Sequence, residues 1–144
     1  MNNILSESNI HIDQSFASKD EAIQFAGQVL VDNGYVETSY VDEMYQREAS
    51  VSTFMGNGVA IPHGTDEAKD FVKESGLSIV TVPKGVDWGG QTAHLIIGIA
   101  GKGNEHLEIL QKIALVVADQ DQVNKIVNAA SKEDVLSLFD LGED

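Results

Sequence analysis

Apolar residues in the first third of the chain recur with the period of an α-helix. The residues that share one helical face are Ala22, Phe25, Ala26, Val29 and Leu30. Ser18 and Glu21 stand at the spacing of a capping box before this face, and Asn33-Gly34 follows it as a stop signal. These signals predict one helix between Ser18 and Asn33. A second helix is predicted to begin near Ser39 and to end around Glu48, with its buried face at Val41, Met44 and Tyr45.

Three apolar segments in the middle of the chain are typical of strands. Val59–Ile61 is short and is ended by Pro62, which cannot donate to a sheet. Leu77–Val82 is rich in β-branched residues. His94–Ala100 is a continuous apolar run, which predicts a strand that is buried on both faces.

The last third of the chain predicts three more helical segments. The first begins at Asn104, a good N-cap residue, and its expected inner stripe is Leu107, Leu110, Ala114, Val117 and Ala118. The second contains Val123, Ile126 and Val127, and a final turn or two begins at Ser131 with Val135, Leu138 and Phe139 facing inward. Because such elements pack as layers, the sequence predicts an α/β fold in which helices flank both sides of a small sheet. A single domain over residues 1–144 is expected.

The composition limits the class of protein. The chain has 144 residues, no cysteine and a formal net charge of −14. A charge of this sign repels nucleic acid and anionic membranes, so neither is an expected partner. No apolar run approaches the roughly 20 residues of a membrane-spanning helix, and the N-terminus lacks the pattern of a signal peptide. We therefore expect a cytoplasmic protein without a membrane-inserted segment.

His63 is the first candidate for chemistry. It lies between Pro62, which ends a predicted strand, and Gly64. Loops at strand ends often hold reactive side chains, and a glycine lets another molecule approach the backbone closely. The residues from Thr65 resemble a helix start, whose positive end would favour an anion. The simpler interpretation is a histidine that only forms a hydrogen bond in a turn.

Two further residues could act on an anion. His106 falls in the first turn of the helix predicted after Asn104, where the helix dipole favours a neutral imidazole that can donate to an oxyanion. Arg47 is the single arginine of the chain and lies at the end of the second predicted helix. A guanidinium binds oxyanions in a bidentate manner. Simpler roles are a surface position for His106 and helix capping for Arg47.

Signatures of several enzyme classes are absent from the sequence. It contains no P-loop, no nucleophile elbow and no dinucleotide fingerprint. No pair of histidines has the spacing of metal ligands, and without cysteine a structural zinc site is not expected. We therefore expect neither a metal nor a cofactor. The chemistry that remains is that of histidine acting on an oxyanion.

A family resemblance connects these residues. The segment Gly56–Asp70, with its Pro-His-Gly sequence, is similar to the phosphorylation-site segment of the enzyme IIA family of the bacterial phosphoenolpyruvate-dependent sugar phosphotransferase system. The chain resembles the mannitol class most closely. The similarity extends over Ala22–Tyr35, Tyr40–Glu48, Gly85–Trp88 and Leu95–His106. The order of a helix-borne arginine, Pro-His-Gly and Asn-Glu-His is specific to this family.

The resemblance implies a role for each site residue. His63 matches the histidine that accepts the phosphoryl group, with Nε2 as the atom modified. Arg47 and His106 match the arginine and the second histidine that line the site, and Glu67 matches an acidic neighbour. Further candidate donors in the connection before His63 are Thr53 and Asn57. The family fold, a mixed sheet flanked by helices, agrees with the predicted layers.

Partners follow from the same resemblance. Members of the family accept the phosphoryl group from the histidine-containing phosphocarrier protein and pass it to enzyme IIB, which in the mannitol class carries a reactive cysteine. Because this chain has neither a cysteine nor a membrane segment, the IIB and IIC parts of the transporter are expected on another polypeptide.

The first interpretation is therefore a phosphoryl carrier for mannitol or a related sugar alcohol. Fructose-type and nitrogen-regulatory relatives also have the Pro-His-Gly pattern, so a regulatory module that is phosphorylated for signalling stays open. A metal-dependent hydrolase that uses His63 and His106 is disfavoured, because no carboxylates lie at a useful spacing from them.

Overall fold

The computed structural model describes residues 5–139, except for the side chains of Asp66 and Glu67. The elements in the first half of this range are β1 (Ile10–His11), α1 (Lys19–Asp32), α2 (Ser39–Ser50), β2 (Phe54–Gly56) and β3 (Val59–Ala60). Those in the second half are β4 (Gly76–Trp88), β5 (Gln91–Ala100), α3 (Glu105–Val117), α4 (Gln120–Val127) and α5 (Lys132–Leu138). Short 3₁₀ helices lie at Glu7–Asn9 and Asp66–Phe71.

The described strands form one mixed sheet with the order β1-β4-β5-β3-β2. β4 and β5 form an antiparallel hairpin, and β2 is antiparallel to β3. β1 runs parallel to β4, and β3 runs parallel to β5. The predicted mixed sheet is confirmed. Its central parallel pair, β3 and β5, sends two carboxyl ends to the same edge of the sheet.

Alternating side chains on β4 and β5 divide the core into two layers. Leu77 and Ile97 lie on one face and pack with apolar residues of α3, α4 and α5. Val80 and Ile96 lie on the other face and pack with α1 and α2. This arrangement confirms helices on both sides of the sheet and a β5 strand that is buried on both faces. Among the described helices, none combines the length and the apolar character needed to cross a membrane.

The first two helices largely follow their sequence signals. Ser18 Oγ accepts a hydrogen bond from the Glu21 N–H (3.3 Å), and Glu21 Oε1 accepts one from the Ala17 N–H (3.2 Å). The second bond reaches one residue earlier than in an ordinary capping box. α2 extends beyond Glu48 to Ser50, so the predicted end is two residues short. Tyr45, which was expected to be buried, is half-exposed.

The predicted inner stripe of α3 is confirmed at Val117 and in part at Leu110, but it is wrong at Leu107 and Ala118, which are exposed. Its buried residues are Ile109, Ile113 and Val117, whereas Leu107 is 66% exposed. The helix carries apolar residues on two adjacent stripes, so periodicity alone allows either one to face inward. Asn104 precedes the helix as predicted, but its side chain forms no capping hydrogen bond.

The β4–β5 hairpin is longer than the sequence pattern predicts. β4 continues through Pro83, and its register with β5 shifts in this region, as expected where a strand accommodates a proline. Gly89 and Gly90 form the two-residue turn with φ values of +68° and +94°. Positive φ at both positions is the requirement of the tight hairpin turn that glycine satisfies best.

Gly98 in the middle of β5 gives a test of this packing. A Cβ at position 98 would lie 2.3 Å from Ser78 Oγ, which is buried and donates to the Ala26 carbonyl at a distance of 2.9 Å. We expect Gly98→Ala to lower the free energy of unfolding by about 1–3 kcal/mol, the usual cost of overpacking a core. The measurement is urea denaturation. In a Ser78→Ala background the added methyl group meets no hydroxyl, so the loss should be smaller; equal losses in both backgrounds would contradict this account.

Candidate functional site

His63 and His106 lie together at one edge of the sheet. His63 follows β3, and α3, which carries His106 in its first turn, follows β5. Because β3 and β5 are parallel neighbours, both residues arrive at the same edge. Their ring centroids are 5.2 Å apart, with an angle of 52° between the ring planes. The structure thus brings together two histidines that are 43 positions apart in the printed sequence.

Gly101 allows this close approach of α3 to the sheet. A Cβ at position 101 would lie 2.4 Å from His106 Cα and 2.5 Å from its Cβ. No side chain can therefore replace the glycine unless the start of α3 moves. The absence of a side chain at the end of β5 sets how near His106 comes to His63.

The backbone on both sides of His63 is fixed by hydrogen bonds. The Pro62 carbonyl accepts from the Ile99 N–H at 3.0 Å. On the other side, the Gly64 N–H donates to Tyr40 Oη at 2.9 Å, and the same hydroxyl donates to the Ile99 carbonyl at 2.7 Å. A Cβ on Gly64 would lie 2.6 Å from the Tyr40 ring. Tyr40 therefore ties the segment after His63 to the end of β5.

The imidazole ring of His63 has a defined tautomer. Its Nδ1 lies 2.8 Å from the Ile61 carbonyl oxygen. A neutral carbonyl can only accept a hydrogen bond, so Nδ1 carries the proton and Nε2 carries the lone pair. The residue is 9% exposed, which leaves limited access to the ring. Nε2 is thus the nucleophilic atom of this histidine.

Electrostatics keep this ring neutral. Burial lowers the pKa of His63 below its usual value of 6.5, and the nearby His106 and Arg47 lower it further. The hydrogen bond to the Ile61 carbonyl and the negative charge of Glu48 raise this pKa and only partly compensate. At neutral pH the ring is therefore unprotonated at Nε2.

Arg47 lies in the last turn of α2. Its Nη1 donates to the Val51 carbonyl at 2.6 Å, so it also caps the end of its own helix. A guanidinium has five N–H donors, and this one bond leaves others for an oxyanion. Its effect on the pKa of His63 places its charge within electrostatic reach of that ring. The two histidines thus lie together, and the charge of Arg47 acts on one of them; these are groups that can bind an oxyanion.

Comparison with known proteins identifies the family of this chain. A sequence profile of the family described as "Phosphoenolpyruvate-dependent sugar phosphotransferase system, EIIA 2" matches residues 3–141. The chain belongs to this family of enzyme IIA proteins.

Several named proteins are similar over nearly their whole length. The mannitol-specific phosphotransferase enzyme IIA component of Geobacillus stearothermophilus is 55% identical over 94% of each chain, and that of Bacillus subtilis is 49% identical over 94% of this chain and 96% of the relative. Among solved structures, the complex of the mannitol enzyme IIA and phosphorylated enzyme IIB from Escherichia coli matches with a TM-score of 0.89. It is 38% identical, and the match covers 94% of this chain and 96% of that one. The nitrogen regulatory protein IIA-Ntr of Neisseria meningitidis has a TM-score of 0.81 at 28% identity, over 95% and 97%.

Two of the supporting candidate residues in this enzyme IIA, Thr53 and Asn57, form hydrogen bonds with groups other than the two histidines. The Thr53 N–H and hydroxyl both donate to the Glu48 carboxylate, so the hydroxyl proton is not available to an oxyanion. The amide of Asn57 donates to the Val117 and Ala118 carbonyls at 2.9 Å and 3.3 Å and caps the end of α3. Neither bond could be read from chain position, because both partners lie on other elements.

The remaining expectations concern the segment after His63. The side chain of Glu67 lies outside the described part of the structure. The segment that was expected to start an α-helix at Thr65 is instead the six-residue 3₁₀ helix Asp66–Phe71. Thr65 Oγ1 donates to Glu43 on α2, which fixes the start of this segment. Among the described side chains, no three of the His, Cys, Asp and Glu residues are grouped so that they could hold a metal ion.

Sequence reasoning missed two residues that build the site, Tyr40 and Glu48. Both are buried, with 3% and 6% of their surface exposed. A signal was present, because Tyr40, Met44 and Glu48 follow one another at four-residue intervals and share one face of α2. A carboxylate at the end of a buried helical stripe indicates a buried polar contact.

Replacing Tyr40 with phenylalanine tests the hydroxyl bridge. Tyr40→Phe leaves the Gly64 N–H and the Ile99 carbonyl without this partner, so we expect the free energy of unfolding to fall by about 1–3 kcal/mol. Tyr45→Phe on the same helix is the matched control, since the Tyr45 hydroxyl bonds at an exposed position. Its effect should stay within about 0.5 kcal/mol in the same denaturation experiment. Equal effects of the two substitutions would refute the bridge.

The charge state of His63 is testable by NMR titration. Its imidazole should titrate below pH 6.5, because burial and the neighbouring His106 and Arg47 disfavour the protonated ring. The unfolded chain then binds a proton more readily than the folded protein does. The contribution of His63 to the free energy of unfolding is therefore fully present above pH 6.5. It is lost as the pH falls through the folded-state pKa of His63. His63→Gln assigns the signal and should remove this component of the acid dependence of Tm. A His63 pKa at or above 6.5 would contradict the prediction.

Proposed function

We propose that this enzyme IIA is a phosphoryl carrier for the uptake of mannitol or a related sugar alcohol. It accepts the phosphoryl group on His63 from the histidine-containing phosphocarrier protein and passes it to enzyme IIB. The observation that carries this proposal is the Nδ1–H bond to the Ile61 carbonyl, which leaves a lone pair on Nε2 of a ring that lies next to His106 and under the electrostatic influence of Arg47. The mannitol-specific names of relatives at 49% and 55% identity support the substrate.

Acceptance of the phosphoryl group follows from this geometry. The lone pair of His63 Nε2 attacks the phosphorus of the donor phosphohistidine, a new N–P bond forms, and the donor N–P bond breaks. The electron pair of the broken bond returns to the donor imidazole. Charge builds up on the three equatorial oxygens, where N–H donors of Arg47 and His106 stabilise it. Nδ1 keeps its proton throughout and donates it in the hydrogen bond to the Ile61 carbonyl, so no proton has to leave the attacking ring.

Transfer to enzyme IIB reverses this step. A thiolate of the IIB cysteine attacks phosphorus, the N–P bond at His63 breaks, and its electron pair returns to Nε2. The lowered pKa of His63 favours a neutral imidazole as the leaving group, since the buried ring has little tendency to take up a second proton. Both reacting partners are protein side chains, and we propose that the transfer needs no metal and no cofactor.

The same proposal covers the location and the partners. The solved complex of the mannitol enzyme IIA with phosphorylated enzyme IIB supports IIB as the acceptor. The relatives, which are named as mannitol-specific enzyme IIA components, match over 94% or more of their own length, and this supports the role of an enzyme IIA. We propose a cytoplasmic location for this protein, in keeping with its membership of the enzyme IIA family.

A regulatory role is the alternative function. The similarity to a nitrogen regulatory protein is real, but at 28% identity it is well below the 49–55% shared with the mannitol-specific relatives. The two functions differ in what the phosphorylated protein does next. A carrier passes its phosphoryl group to a mannitol enzyme IIB within a transfer assay, whereas a signalling module retains it in the presence of that enzyme.

The experiment that tests the carrier function mixes the protein with enzyme I, the phosphocarrier and phosphoenolpyruvate. Intact mass should rise by one phosphoryl group, and the gain should disappear in His63→Ala but not in His11→Ala, a histidine on β1 away from the site. Arg47→Ala should slow transfer by about 10²- to 10³-fold, which is at or below the lower end of the arginine effect of about 10³- to 10⁵-fold in phosphoryl-transfer enzymes, since a carrier must also release the group.

Two results would count against this function. One is a phosphoryl mark that persists in His63→Ala, which would place the acceptor elsewhere. The other is a phosphorylated wild-type protein that does not pass the group to a mannitol enzyme IIB, which would favour the regulatory alternative.

A further inference from the structure

Glu48 is a buried carboxylate at the end of the helix that carries Arg47. Both oxygens are within hydrogen-bond distance of the Thr53 N–H (3.1 and 3.2 Å), and Oε1 accepts from the Thr53 hydroxyl at 2.5 Å. Oε2 accepts from Trp88 Nε1 at 3.1 Å and lies 3.8 Å from Lys19 Nζ. Desolvating a carboxylate is costly unless donors replace its water, and here three N–H and O–H donors and one cation do so.

A path of hydrogen bonds leads from this carboxylate to the His63 ring. Thr53, which donates twice to Glu48, accepts a bond from the Ile61 N–H through its own carbonyl at 3.1 Å. The Ile61 carbonyl in turn accepts from His63 Nδ1 at 2.8 Å. The peptide group that determines the tautomer of His63 is therefore anchored, through Thr53, to Glu48.

The same carboxylate also fixes the position of Arg47. Glu48 is its immediate neighbour in the last turn of α2, and the bond to Trp88 ties this turn to the β4 end of the hairpin. Lys19 adds a contact from the first turn of α1. One buried side chain thus joins α1, α2, the α2–β2 connection and β4 directly behind the site.

We propose that Glu48 is a positioning residue for phosphoryl transfer, because its buried carboxylate holds Arg47 and the His63 ring in one fixed arrangement. The described contacts of Glu48 include no reacting atom, so it acts through Thr53 and through its own helix turn. This inference rests on the proposed role of His63 as the phosphoryl acceptor. It assigns the function of Thr53 as well, which is to carry the restraint rather than to bind the oxyanion.

The charge of Glu48 acts on His63 in addition to its hydrogen bonds. It raises the pKa of His63 against the lowering effects of burial, His106 and Arg47. A glutamine at position 48 keeps the shape and an acceptor oxygen but loses the charge, and its NH₂ group faces donors. Glu48→Gln therefore separates the two contributions, and Glu48→Ala removes both.

The variants for the test are Glu48→Gln, Glu48→Ala, Thr53→Val and Trp88→Phe, the last two of which each remove a single donor to the carboxylate. Ser78→Ala is the matched control. It removes a buried hydrogen bond of 2.9 Å to the Ala26 carbonyl and touches neither Glu48 nor His63. Its loss of stability shows what a merely structural defect in this domain does to the site.

Three measurements are made on each intact variant. Thermal unfolding reports stability, ¹⁵N NMR of the unphosphorylated protein reports the His63 tautomer, and the rate of phosphorylation by the phosphocarrier reports function. We expect Glu48→Ala to slow phosphorylation about 10²-fold, as a misplacement near 1 Å does, with a smaller loss for Glu48→Gln. The dominance of the Nδ1–H tautomer should weaken in Glu48→Ala and Thr53→Val. Ser78→Ala should lower Tm and leave both the tautomer and the rate unchanged.

A folded Glu48→Ala protein with the wild-type tautomer and the rate of Ser78→Ala would overturn the proposal. If Glu48→Ala does not fold, the His63 tautomer and the phosphorylation rate of Thr53→Val and Trp88→Phe are compared with those of Ser78→Ala in the same way. The tautomer is measured without any phosphoryl donor, so a wild-type protein that is not phosphorylated on His63 refutes the carrier function and not the structural coupling. Wild-type phosphorylation on His63 with unaltered variants refutes the coupling alone.

Discussion

The parallel pairing of β3 with β5 is the constraint on which the rest of the site depends. It brings the residues that follow two separate strands to one edge, and it does so through only two residues of β3, Val59 and Ala60. So short a strand cannot hold that edge alone. The pairing is extended by the bond between Ile99 and Pro62 and by the Tyr40 hydroxyl, so that the chain remains attached to β5 as far as Gly64. A reactive ring at the end of a two-residue strand is rigid because its neighbours are bonded on both sides.

The neutral His63 ring and the anionic group that it receives are favoured by different electrostatic surroundings. A neutral nucleophilic ring is favoured by burial and by nearby cations, whereas the anionic group that it receives is favoured by those same cations and disfavoured by burial. A carboxylate behind the ring balances the first group of effects without contacting it. Its several donors keep that charge in place inside the protein. Such an arrangement suits a carrier, for which neither the empty nor the loaded form should be too stable.

Local signals in the sequence were sufficient for most of the fold and for part of the site. The capping residues of α1 and the apolar run of β5 each have one dominant interpretation, and both are confirmed. The inner face of α3 could not be predicted, because Leu107 and Ile109 are both apolar and packing against the rest of the core, beyond the helix itself, selects Ile109. Thr53 and Asn57 failed as candidate donors for a related reason. A short polar side chain bonds to whichever partner the fold presents, and its neighbours in the chain do not reveal that partner.

The Tyr40 hydroxyl has a consequence for how the protein senses acidity. Burial raises the pKa of Tyr40 to about 12, so this group neither loses nor gains a proton at any pH that a cell experiences. The Tyr40 hydroxyl therefore stays protonated, so it can donate to the Ile99 carbonyl and accept from the Gly64 N–H while the imidazole of His63 changes charge. The Tyr40 bridge therefore keeps its protonation state while the charge of the His63 ring changes with pH. Protonation of His63 in acid occupies the Nε2 lone pair and lowers the stability of the fold, whereas the Tyr40 hydroxyl adds no pH dependence of its own.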